Sequence, residues 1–130
     1  NGRIRNRKES RMAEMQEMAL TLGQSMGRTE EYQALKRALD AMGDDRDLAE
    51  LKSTLEALES EIEGLLRTGS QPEDQLRTDY EAAVSMIQAN ATYQRVVAAQ
   101  TNFDKIVQRV NEMIAQGIQE GGESRIILST

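Results

Sequence analysis

The sequence predicts an all-α protein, an antiparallel helical bundle with one long central helix that pairs as a dimer. Three observations carry this expectation. Leu48, Leu51, Leu55, Leu58, Ile62 and Leu65 recur at alternating three- and four-residue steps, the heptad pattern that buries one helix seam against another. Abundant Ala, Leu, Glu, Gln and Met, with no Trp, one Phe and three Tyr, favour helix over sheet. Finally, no proline interrupts the chain from Thr29 to Arg67. Between the apolar positions of the seam stand Glu50, Lys52, Glu56, Glu59, Glu61 and Glu63, so the remaining faces are solvated. A lone helix of this kind is marginal in water, and the seam therefore needs a partner.

The chain falls into a basic arm at 1–11, a helical domain at 12–120 and a tail at 121–130. The arm holds Arg3, Arg5, Arg7, Lys8 and Arg11 against Glu9 alone, a net charge of +4, and the other 11 basic and 21 acidic residues leave −10. A body this acidic repels phosphate backbones, so direct nucleic-acid binding by the folded part is not expected. The arm reads as an upstream or expression-derived extension before a start at Met12–Ala13, with contact to RNA or an acidic partner as its other use. Its neighbour, a first helix from Met12 to about Met26, lines one face with Met15, Met18, Ala19, Leu22 and Met26. Core filling is the ordinary use of such methionines, an adaptable partner site the second, and thioether binding of Cu(I) a remote third. Gly27 is placed to end this helix in a left-handed cap.

Thr29 is a good N-cap, with Glu30 and Glu31 in the first turn, and Tyr32, Leu35, Ala38, Leu39 and Met42 follow on one face. The stripe slips register at Gly43-Asp44-Asp45, which predicts a stutter or kink, although a continuous helix stays open. If continuous, 30–67 would extend about 57 Å at about 1.5 Å per residue. That exceeds the roughly 36 Å diameter of a compact chain of this length, and it is the reason a homodimer is expected. Gly69 can stop the long helix, and Pro72 suits the first turn of the next. That helix carries Leu76, Tyr80, Ala83, Val84 and Ile87. Asn90 can cap a last segment to about Ile118, with Val96, Phe103, Val107, Val110 and Ile114 as its stripe, widened by Val97, Ile106 and Met113. Gly121-Gly122 is expected to terminate it, leaving Ile126-Ile127-Leu128 to dock or fray. Thr29-x-x-Tyr32-Gln33-x-Leu35-x-x-Ala38 echoes Asn90-x-x-Tyr93-Gln94-x-Val96-x-x-Ala99 at an offset of 61 residues. Two related helix–turn–helix units would produce this, as would chance likeness between amphipathic helices.

With neither Cys nor His in the chain, structural zinc, a thiolate nucleophile, iron–sulfur ligation and imidazole chemistry are excluded by residue type. Asp44 and Asp45 without further ligands do not make a cation site. No Gly-rich phosphate loop or nucleophile motif is present, so no catalytic residue, cofactor or metal is assigned. No apolar run reaches the length of a membrane span or signal-peptide core, and the chain reads as cytoplasmic. The residues expected to carry core or interface contacts are Met15, Met18, Leu22, Leu48, Leu51, Leu55, Leu58, Ile62, Leu65, Phe103, Val107 and Val110.

From Ala19 to Ile118 the chain resembles the YlbF/YmcA family of small bacterial helical proteins. The likeness rests on Tyr32-x-x-Leu35-x-x-Ala38 running into Asp45, on Leu48–Ile62, on Gly69-x-x-Pro72, and on Ile87 before Asn90-x-x-Tyr93-x-x-Val96-x-x-Ala99. The resemblance implies an all-α dimer acting as a cytoplasmic adaptor. Its partners would be regulatory proteins in complexes that control RNA processing, competence, sporulation or biofilm formation. Several members carry cysteines that help hold an iron–sulfur cluster; this chain has none, so that property does not carry over. Two functions therefore compete: a non-catalytic regulator with an unidentified protein partner, and a structural or chaperone-like coiled-coil bundle.

Overall fold

The computed structural model describes the backbone of residues 2–129 and the side chains of residues 2–123. Over that range every regular element is a helix, with α1 at Gly2–Gly27, α2 at Glu30–Asp44, α3 at Arg46–Arg67, α4 at Asp74–Ala89 and α5 at Ala91–Ser129. The chain divides into two compact units. One holds residues up to Ala34 together with those from Asn102 onward; the other spans Leu35–Thr101.

Within the second unit the core is small and aliphatic. Leu35, Ala38, Leu48, Ala83 and Ile87 are its buried residues, and Leu48, 1% exposed, is the most enclosed. The α3–α4 hairpin is the main packed pair. Along α3 the heptad seam faces inward: Leu48 is buried, Leu51, Leu55, Leu58, Ile62 and Leu65 are half-buried, and every residue between them is exposed. Leu66, one residue off the seam, is exposed instead. A period of 3.5 set against a helix of 3.6 residues per turn gives this single covered stripe.

The run from Thr29 to Arg67 is two helices, and Asp45 is the break. Its backbone is extended, and its carboxylate accepts the Leu48 N–H at 3.0 Å, an N-cap for α3. Asn90 caps α5 in the same way, its Oδ1 accepting the Tyr93 N–H at 2.9 Å, while its Nδ2 reaches Asp45 Oδ2 at 3.4 Å. One side chain thus serves two helix starts. The Asp45 carboxyl is held below its ordinary value, chiefly by the Leu48 N–H and then by the Thr92 hydroxyl and the Asn90 amide, with burial opposing. The expected echo also takes structural form. Thr29 Oγ1 accepts the Tyr32 N–H at 3.1 Å, as Asn90 does for Tyr93. Gln33 Nε2 donates to the Gly27 carbonyl at 2.8 Å, and Gln94 Nε2 to the Gln88 carbonyl at 3.0 Å, the same pair 61 residues on.

Several element ends depart from expectation. The first helix begins at Gly2 and not Met12, because nothing in 2–11 breaks a helix and four of the five cations there are good helix-forming arginines. Gly27 has no positive φ; Gly69, at +77°, is the glycine that does. There Ser70 N–H bonds the Leu65 carbonyl at 2.9 Å and Gly69 N–H the Leu66 carbonyl at 3.1 Å, a Schellman close to α3. Pro72 lies ahead of α4, whose N-cap is Glu73. Gly121-Gly122 does not end α5, which runs on to Ser129; a helical glycine costs about 1 kcal/mol but leaves the i→i−4 bonds intact. The side chains of 126–128, where docking or fraying was expected, lie outside the described residues.

Two outcomes follow. Leu48→Ala should destabilise the protein by about 2–5 kcal/mol in a urea titration, whereas Leu66→Ala should stay within about 0.5 kcal/mol. Because the Asp45 pKa is depressed, its contribution is present above the ordinary carboxylate range and lost as pH falls through the folded value. Asn90→Asp keeps a capping oxygen but sets a second carboxylate beside Asp45, raising both pKa values. Relative to the parent, that variant should lose stability as pH rises from about 3 to 6. A parallel pH profile for the two proteins would refute the link between the caps.

Candidate protein-interaction surface

The surface builds from the two long helices of the first unit. At 3.6 residues per turn, Ile4, Met15, Met18, Ala19, Leu22 and Met26 share one broad face of α1. That face is largely open: Ile4, Met12, Met15 and Met18 are exposed, Met18 at 66%, and Leu22 and Met26 are half-buried. The core filling expected of Met15 and Met18 does not occur within the chain. Leu20, on the opposite side, is exposed as well.

On α5 the stripe changes character along its length. Phe103, Ile106, Val107 and Val110 are half-buried, and Phe103 meets Tyr32 edge-on with ring centroids 5.2 Å apart and planes at 62°. That geometry aligns the positive edge of one ring with the negative face of the other. Beyond Val110 every described side chain to Glu123 is exposed, including Met113, Ile114 and Ile118, the last at 72%. Leu22 of α1 joins Arg109, Val110, Met113 and Ile114 of α5 around an open, largely apolar groove. A second groove beside it is mixed, with Glu31, Asn102, Lys105, Gln108, Arg109 and Glu112 around Ile106. Glu14 and Glu17 flank Met18 and Leu22 on the other side.

The residues singled out from the sequence therefore divide in two. Leu48, Leu51, Leu55, Leu58, Ile62 and Leu65 pack within their own chain. Met15, Met18, Leu22, Phe103, Val107 and Val110 belong to the first unit, where cover is incomplete. Ile4 and Ile118 complete the apolar surface, and the sequence did carry their signal. Ile4 precedes Met15 by eleven residues, three turns of the same face, and Ile118 continues the α5 stripe four residues past Ile114. In chemical terms the surface offers apolar contact rimmed by charge. Of the Asp pair at 44–45, the Asp45 carboxylate accepts from the Leu48 N–H and the Asn90 amide. Among the described residues there is no group of three or more carboxylates placed to hold a metal. Nor, among them, is any helix long and apolar enough to cross a membrane.

Residues 15–119 match the family described as control of competence regulator ComK, YlbF/YmcA. The match takes in the second half of α1, all of α2, α3 and α4, and α5 through Gln119. The chain belongs to the YlbF/YmcA family. No curated protein matches it closely enough to count. Membership makes it one of a family of regulatory proteins, whose work on ComK implies protein partners.

Proposed function

We propose that this chain is a non-catalytic adaptor that regulates by presenting the apolar surface of α1 and α5 to other proteins, and that it works as a homodimer in the cytoplasm. The observation that carries this reading is the split in burial. Among the described residues every buried one lies between Leu35 and Ile87, while Met15 and Met18 of α1 and the apolar side chains of α5 from Met113 to Ile118 remain open. Apolar patches of this kind on a soluble chain mark interaction sites. A two-fold axis lets one stripe serve both partners, and α5 has the length to reach across: 39 residues, or about 58 Å. Methionine suits a surface that must fit more than one shape, because its unbranched thioether repacks at little cost. The family likeness extends the proposal to complexes that control RNA processing and development. To such a complex this chain brings no cysteine ligand.

A structural or chaperone-like bundle is the second reading, favoured by the same exposed methionines. The two part in a pull-down from the native cell. An adaptor recovers a defined regulatory or RNA-processing partner and loses it when Met18→Glu and Ile114→Glu are combined. A chaperone-like bundle returns a broad client set. Because both positions are exposed, the double variant should keep its helical circular dichroism while its partner recovery falls at least tenfold. Unchanged recovery would remove the surface from the proposal.

A further inference from the structure

We propose that the first three turns of α1 form a docking arm for duplex DNA, the helix lying in the major groove with its cations on the flanking phosphates. Arg3, Arg5, Arg7, Lys8 and Arg11 are all helical and exposed. None of them has an ion-pair or hydrogen-bond partner among the described residues. They do not form one stripe. At 3.6 residues per turn they spread over roughly 200° of the helix surface, so positive charge stands on both flanks. An acidic helix lying alongside would meet one flank only. The major groove of B-DNA, about 12 Å wide, admits an α-helix and sets a phosphate wall on each side of it.

The length and chemistry also fit. Arg3 to Arg11 covers about 12 Å of helix, over which a duplex presents roughly seven phosphate charges. Four of the five cations are arginine, whose planar fork pairs with two phosphate oxygens at once. An anionic membrane is the poorer fit, since Ile4 is the only large aliphatic residue in 2–11 and gives no insertable face. Duplex RNA has a major groove too deep and narrow for a helix. The net −10 of the remaining chain confines contact to the arm, and cations on phosphates read no base sequence. The five cations do not enter the adaptor reading, which draws on the arm only through Ile4, and the family match begins only at residue 15.

Fluorescence anisotropy of a short labelled DNA duplex against the full chain tests the arm. Binding should fall in the sequence-independent range, about 10⁻⁴ to 10⁻⁶ M, and weaken with salt on a log–log slope of roughly −4.5 if all five cations are engaged. Arg3→Gln, Arg7→Gln and Arg11→Gln together should reduce the slope by roughly 2.7 and the affinity at least tenfold, while the matching Lys variant retains the slope. Circular dichroism of both variants shows whether the helix persists; if the Gln variant loses it, the Lys variant alone decides. The proposal is overturned by no duplex binding at low salt, by Gln-variant binding equal to the parent's, or by a Lys variant that binds no better than the Gln one. Tighter binding to single-stranded RNA, polyglutamate or phosphatidylserine vesicles than to the duplex overturns it equally.

Discussion

The structure turns on the hydrogen bonds of Asp45. Without them, the apolar pattern from Thr29 to Arg67 could continue as one rod. A carboxylate that accepts the Leu48 N–H holds its own backbone in an extended conformation and starts a new helix one residue after α2 has ended. Asn90, donating to that carboxylate and capping α5, fixes a second helix start at the same point. The α3–α4 hairpin and its small core of Leu48, Ala83 and Ile87 sit inside the unit these caps define. A polar contact of modest strength thereby decides where apolar side chains go.

Much of this was legible in the chain. The α3 seam was readable because alternating leucines and glutamates leave one face for burial. The break at Asp45 was foreshadowed by a lost register after Met42. Thr29 and Asn90 announced themselves as caps, since a short polar side chain ahead of an apolar period has few other uses. Misread ends had local causes. Arginines carry helix as readily as leucines, so the charge contrast at Met12 marked no structural boundary. Gly27 and Gly69 look alike in sequence, yet only Gly69 meets a Schellman geometry that needs positive φ. The interaction surface was harder to see. Met15 and Leu51 have similar patterns, and nothing local says that one is covered by its own chain and the other left open.

That contrast gives the molecule its division of labour. The second unit covers its own seam: caps and hairpin bury or half-bury the α3 stripe, while Leu39, Leu66, Met86 and Val97 stay exposed singly. The first unit leaves Met15, Met18, Met113, Ile114 and Ile118 open, and these five lie within the part of the chain that matches the YlbF/YmcA family. The proposed adaptor would be well served by this arrangement, because these exposed side chains contribute little to holding the chain folded.

In the proposed adaptor a second copy of the chain covers part of the open surface of α1 and α5 and leaves the rest to other proteins. Light scattering on the purified full chain at micromolar concentration measures it most directly. The expected mass is twice the 14.6 kDa of one chain, falling to the single-chain value when Met18→Glu and Ile114→Glu are combined. A parent protein that stays at the single-chain mass across that range would contradict it.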